Sequence, residues 1–204
     1  MLVLASTSPR RRELLTQAGF EVLVVPSAVA EEHRPGEDAI SFATRLAQEK
    51  AQAVYEEQSA LDDAQNPLLV LGADTIVVVD EEILGKPASA SDAARMLALL
   101  SGRTHQVITG VCLISRAGIE AAAEVTFVRM QTLSTAEIEA YVATGESMDK
   151  AGAYAIQGRA ACWIPRIEGC YFNVVGLPLA LVSSLIEGMH RRLKRSAGLV
   201  SSTK

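Results

Sequence analysis

Only three of the 204 residues are cysteine, and Cys112, Cys162 and Cys170 have neither the even count of a disulfide framework nor the paired spacing of a zinc site. We read them as reduced core thiols. Aromatic residues make up 4% of the chain, too few for a surface that stacks exposed bases. Nineteen Lys and Arg stand against 24 Asp and Glu, and the net charge of -5 lacks the basic excess of a duplex-binding surface. No nucleic-acid partner is expected, and salt-sensitive RNA binding would revive that reading. No apolar run approaches the roughly 20 residues that cross a bilayer. The opening Met1-Leu2-Val3-Leu4-Ala5 turns polar before a signal-peptide core could form, so the expectation is a cytoplasmic protein with no membrane partner. Also missing are an internal repeat, a low-complexity linker and any Gly-x-x-x-x-Gly-Lys-Ser/Thr segment, which excludes a P-loop.

What is present is enough apolar sequence, 49% of residues, for a sizeable core. Short strand-type runs alternate with longer helical ones, which predicts a mixed α/β fold. Residues 2–5 read as a strand. Residues 9–18 read as a helix with Ser8 as N-cap, Pro9 in its first position and Gly19 as its stop. A short strand at 22–25 and a long helix at 39–57 follow, the helix carrying an apolar stripe at Ile40, Ala43, Leu46, Ala47, Ala51 and Val54. Residues 68–79 form a nearly unbroken apolar segment, a pair of strands or one bent strand, ending in a turn at 80–82. Then come a helix at 91–100 closed by Gly102, a hairpin of strands at 104–114 and 121–130, a helix at 134–143, a glycine-rich segment at 145–158, a strand at 162–167 and a last helix from Leu179. Residues 1–195 are expected to form one domain, with room for two lobes around a cleft, and 196–204 a frayed tail.

Two placements stand out chemically. Arg10, Arg11 and Arg12 fall at the start of a helix, where the dipole and free N–H groups favour anions. Guanidinium forks there suit polyphosphate oxygens, and the competing reading has them splayed into solvent or paired with acids. Asp74 interrupts an apolar run, so it should lie near the core at a strand end. A carboxylate there needs a cation or several donors, which makes Asp74 a candidate metal ligand or general base; a turn-capping aspartate is the alternative. Glu31-Glu32 lies on a loop where an oxygen-preferring cation could be shared with Asp74. Lys50 and Lys86 could each face a triphosphate, though singly each reads as a surface lysine. His105, in a strand pattern, reads as structural. In the segment Asp149-Lys150-Ala151-Gly152-Ala153-Tyr154-Ala155-Ile156-Gln157-Gly158 the glycines allow close backbone approach, and the Gln157 amide offers the donor and acceptor that suit the mixed edge of uracil or thymine.

In this order, Ser6-Thr7-Ser8-Pro9-Arg10-Arg11, Gly72-Ala73-Asp74-Thr75, Gly85-Lys86-Pro87, Ser101-Gly102-Arg103-Thr104-His105, the Asp149 to Tyr154 run and Gly176-Leu177-Pro178-Leu179 resemble the Maf-like nucleotide pyrophosphatases along nearly the whole chain. The resemblance implies a mixed twisted sheet flanked by helices with a central cleft, similar to the inosine triphosphate pyrophosphatase fold, and a homodimer. It implies hydrolysis of a nucleoside triphosphate substrate to monophosphate and pyrophosphate with Mg²⁺ or Mn²⁺. Asp74 matches the proton acceptor; Ser8, Arg10, Arg11, Glu31, Lys50 and Lys86 match residues lining the site. Gln157, Arg10 and Thr75 match positions that choose the base, and the 149–158 segment is similar to the branch acting on dTTP and UTP; modified pyrimidine nucleotides are further candidate substrates. Two departures are Ala155, where a glycine is usual, and Ala30, where an acid is common. The second leaves open whether Glu31 or Glu32 faces the metal, and distance from the preceding strand favours Glu31. The reading from another class is a non-catalytic nucleotide-binding regulator of cell division, which would bind dTTP without turning it over.

Overall fold

The computed structural model describes residues 1–63 and 65–201. Among these residues seven strands form a mixed sheet: β1 (Leu2–Ala5), β2 (Val22–Val24), β3 (Leu69–Val79), β4 (Glu82–Leu84), β5 (Thr104–Ser115), β6 (Gly118–Arg129) and β7 (Arg166–Glu168). Their order is β2-β1-β3-β5-β6-β7, with β4 paired to β3. β1 runs parallel to β2 and β3, while β4 on β3 and β7 on β6 are antiparallel. Among the described residues six α-helices accompany the sheet: α1 (Pro9–Gln17), α2 (Ala39–Glu57), α3 (Ala90–Leu100), α4 (Thr135–Val142), α5 (Tyr171–Val175) and α6 (Leu179–Ser201). This is the expected mixed α/β class, and among the described residues no helix is long and apolar enough to cross a membrane.

The chain divides into two compact units, one of residues 1–74, 110–123 and 177–204, the other of 75–109 and 124–176. The first has a core of Val3, Ala5, Ala47, Ala51, Val54, Leu68, Val70, Cys112 and Ile114. Its strands pack against α2, which begins at Asp38, whose carboxylate accepts the N–H groups of Ile40 and Ser41 at 3.0 Å each. The buried face of α2 is Phe42, Ala43, Leu46, Ala47, Lys50, Ala51 and Val54. Small residues at 43, 47 and 51 meet glycines in the sheet. A Cβ at Gly72 would fall 2.1 Å from the Ala47 carbonyl oxygen, and one at Gly110 would fall 2.3 Å from that of Ala43. Helix and sheet therefore touch backbone to backbone.

The second unit is built on Val77, Val79, Leu84, Met96, Leu97, Leu100, Val128, Met130 and Tyr141, among others. Ser89 and Ser134 cap α3 and α4, the latter in a reciprocal capping box with Glu137.

Several sequence expectations need correction. Ile40 is 47% exposed and Phe42 takes its place in the stripe, because periodicity cannot tell where a neighbour's cover begins in a helix's first turn. Only Cys112 is a core thiol; Cys162 is exposed and Cys170 intermediate, although all three are free. Residues 159–163 form a 3-10 turn instead of the start of a strand, and β7 is confined to Arg166–Glu168. Residues 69–79 are one strand followed by a two-residue turn, Asp80 and Glu81 both taking positive φ, and β4, like α5, was not anticipated. Helix α6 is described as far as Ser201, and residues 202–204 of the expected frayed tail lie outside the described residues.

Candidate active site

At the end of β1 the backbone leaves the sheet through Ser6, which is 6% exposed. Its Oγ accepts the Ser8 N–H and the Arg11 Nη1, both at 3.1 Å. Ser8 stands at the N-cap of α1, but its hydroxyl makes no capping bond. Arg11, one turn in, is folded back: its Nη1 also donates to the Ala73 carbonyl at 3.0 Å. Burial lowers the Arg11 pKa, the carboxylates of Asp74 and Glu31 pull it up, and Arg10 pushes it down. Part of the arginine misfit seen in the sequence is thus met by groups of the protein itself. Arg10 is half-buried, whereas Arg12 is exposed and lines an open depression of about 580 Å³ with Ser8, Glu13, Thr16 and Val24.

Asp74 lies inside β3, two residues beyond the last pairing with β1 at Gly72, rather than at a strand end. It is 5% exposed and its Oδ1 accepts from Lys50 Nζ at 2.6 Å. Lys50 is no surface lysine: it belongs to the buried face of α2 and is 7% exposed. The same ammonium donates to Glu31 Oε1 at 2.5 Å. Two carboxylates from a strand and a loop therefore converge on one cation from a helix.

Beside them, Arg45 of α2 grips the loop that carries Glu31. Its guanidinium meets both carboxylate oxygens of Glu37 at 2.6 and 2.7 Å, the Glu32 carbonyl at 3.0 Å and Glu49 one turn on at 3.1 Å. These bonds hold the Glu37 carboxyl at about 2, far below its ordinary 4.5.

Thr75, Lys86 and Gln157 belong to the second unit. The Thr75 hydroxyl is 2.9 Å from that of Thr109 and donates to the Gly176 carbonyl at 3.3 Å. Lys86 is exposed just after β4. Gln157 is exposed at the tip of a turn closed by the Gly158 N–H on the Ala155 carbonyl at 3.0 Å. That turn is braced by Tyr141, whose hydroxyl accepts the Ala155 N–H at 3.2 Å and donates to Glu146 at 2.8 Å. His105 is structural, as expected, and is 1% exposed with Nε2 2.7 Å from the Tyr154 hydroxyl.

The family model for Maf-like proteins matches residues 1–189. The chain belongs to the Maf-like protein family. It is 48% identical over 200 residues to a protein of Koribacter versatilis, covering 98% of this chain and 95% of the relative. It is 54% identical to one of Geobacter metallireducens, covering 89% and 92%, and 49% identical to one of Salmonella typhimurium, covering 91% of each. All three relatives are named dTTP/UTP pyrophosphatase.

In this Maf-like chain, no group of three or more His, Cys, Asp and Glu side chains forms a metal cage among the described residues. The convergent oxygens of Glu31 and Asp74 nevertheless fit a small hard cation, because Mg²⁺ is commonly held by one or two carboxylates together with substrate phosphates. Glu31 is the carboxylate that reaches Lys50, while Glu32 turns its backbone carbonyl to Arg45. Sequence reasoning missed Ser6 as the acceptor for Arg11, and it missed the Arg45 network. The one sequence signal for the latter was the Arg45–Glu49 spacing of four on a helix.

Proposed function

We propose that this Maf-like protein hydrolyses nucleoside triphosphates, UTP and dTTP foremost, to the monophosphate and pyrophosphate, with modified pyrimidine nucleotides within its range. The observation that supports this most is the buried Lys50 held between Glu31 and Asp74, 2.5 and 2.6 Å away, with Arg11 bonded to the carbonyl preceding Asp74. Such a cluster suits an anionic substrate, since cations placed between carboxylates can meet charge that develops on the phosphates. The curated relatives' names point to the same reaction.

In this reading Arg10, Arg11 and Lys50 offset the charge of the polyphosphate, and Ser8 contributes its uncommitted capping hydroxyl. Water attacks the α-phosphorus as Asp74 accepts its proton. A new P–O bond forms, the bond to the bridging oxygen breaks, and that oxygen leaves with the pyrophosphate. Glu31 and Asp74 would hold Mg²⁺ or Mn²⁺, which supplies further positive charge to the triphosphate. The roles proposed for Lys86 toward the phosphates and for Thr75, Arg10 and Gln157 toward the base rest on the family resemblance, as does the homodimer; the cytoplasmic setting rests on the lack of a membrane-length apolar run and of a signal-peptide core in the sequence. The test is pyrophosphate release from a panel of ordinary and modified triphosphates with Mg²⁺ and with Mn²⁺. UTP and dTTP should be cleaved to monophosphates faster than ATP or GTP; dTTP bound but left intact under either metal would favour the regulator.

A further inference from the structure

The Lys50–Asp74 half of the site is buried on regular elements, whereas Glu31 stands on residues 25–38, a segment without helix or strand, and its side chain is 42% exposed. An exposed carboxylate on an irregular loop of this length has many conformations away from Asp74. Lys50 holds the carboxylate itself, and one further side chain is placed to restrain the loop that carries it. Arg45 donates through Nη2 to the carbonyl of Glu32, the residue directly after Glu31, at 3.0 Å. Its Nε and Nη2 clasp Glu37 at the far end of the loop at 2.6 and 2.7 Å, and its Nη1 is braced by Glu49. Arg34, within the loop, reaches the same Glu49 at 2.9 Å. The Arg45 side chain is only 16% exposed, and its guanidinium carbon lies 5.5 Å from the Phe42 ring centroid, so the fork is itself fixed.

We propose that Arg45 is the positioning residue of this site: by tying residues 32 and 37 to α2 it holds Glu31 against Lys50 and Asp74, and so makes a loop carboxylate a pre-formed cation ligand. Arg45 bonds to Glu37, Glu49 and the Glu32 carbonyl, and acts on Glu31 through the loop that carries it. The inference rests on the reading of Glu31 and Asp74 as the cation pair. A lysine at 45 could keep one of these bonds but not the two-ended clasp.

The experiment titrates Mn²⁺ into folded protein and reads free Mn²⁺ by electron paramagnetic resonance, for the wild type, Arg45→Met, Arg45→Lys, Glu37→Gln and Glu31→Gln, with thermal melting run alongside. Arg45→Met should weaken Mn²⁺ binding about tenfold or more, as loss of an outer-shell partner does. Glu37→Gln, which keeps the arginine and removes one anchor, should weaken it in the same direction, and Arg45→Lys should recover part of the loss. In a Glu31→Gln background, Arg45→Met should change the affinity by no more than about twofold, because its effect runs through Glu31. Equal affinity in wild type and Arg45→Met, independent losses in the double variant, or no Mn²⁺ uptake by the wild type would each overturn the proposal. Wild-type protein that takes up Mn²⁺ with the Arg45 dependence but releases no pyrophosphate from UTP would end the proposed activity and leave Arg45 in its role.

Discussion

Lys50 carries its charge into a place where its side chain is 9% exposed, and it survives there because Glu31 and Asp74 meet it at 2.5 and 2.6 Å. Replacing it by methionine keeps the volume but leaves Asp74, 5% exposed, without its nearest cation. Breaking a buried pair from one side costs about 3–5 kcal/mol; with Glu31 partly in water, we expect Lys50→Met to lose about 3 kcal/mol or somewhat less in urea unfolding. A loss under about 0.5 kcal/mol would mean that the pair is no more than a surface contact.

A second residue makes a pH prediction. Burial holds the His105 pKa at about 4, below its ordinary 6.5. As pH falls below 6.5 the unfolded chain takes up this proton before the folded one does, so stability declines through the window from 6.5 to 4 and the histidine's contribution levels off below it. That gap corresponds to roughly 3 kcal/mol. His105→Gln should flatten the fall between pH 6.5 and pH 4 relative to wild type, whereas parallel curves would show that the imidazole is already charged in the fold.

Among the elements, α2 matters most, because it delivers both Lys50 and Arg45. Its approach to the sheet is set by Gly72 and Gly110, where an added Cβ would meet backbone atoms of Ala47 and Ala43 at 2.1 and 2.3 Å. Backbone cannot swing aside as a flexible side chain can, so Gly72→Ala must push helix and strand apart. We expect a destabilisation of about 1–3 kcal/mol or more and a loss of turnover beyond the unfolded fraction, since Lys50 would no longer reach Asp74. A Gly72→Ala protein with wild-type stability and rate would show that the helix does not set this geometry.

The elements also show what could be read from sequence. Helix α1 was legible because Ser8, Pro9 and Gly19 bracket it, and α2 because of its apolar stripe. Strand β3 was legible as an apolar run, but not the position of Asp74 within it, because strand ends depend on which neighbours pair: β1 stops at Ala5 opposite Gly72 while β3 continues. The 3-10 turn over Arg159–Trp163 was misread because a short apolar run with Trp163 and Ile164 has no period of its own. At the site, Arg11, Glu31, Lys50 and Asp74 were singled out from residue type and resemblance, but Ser6, Glu37 and Arg45 were not. Their part is visible only once residues far apart in sequence are brought within bonding distance.

For the whole molecule, a net charge of -5 on a chain proposed to act on a polyanion means that attraction has to be local. The arginines at the start of α1 and Lys50 supply it beside the carboxylates that would carry the cation. The most direct measurement is pyrophosphate release from UTP, with Mg²⁺ or Mn²⁺, by wild-type protein and by folded Asp74→Asn. UMP and pyrophosphate are expected from the wild type, and turnover lowered by about a hundredfold or more in the variant, as befits loss of a general base. Pyrophosphate released by Asp74→Asn at the wild-type rate would contradict that role of Asp74.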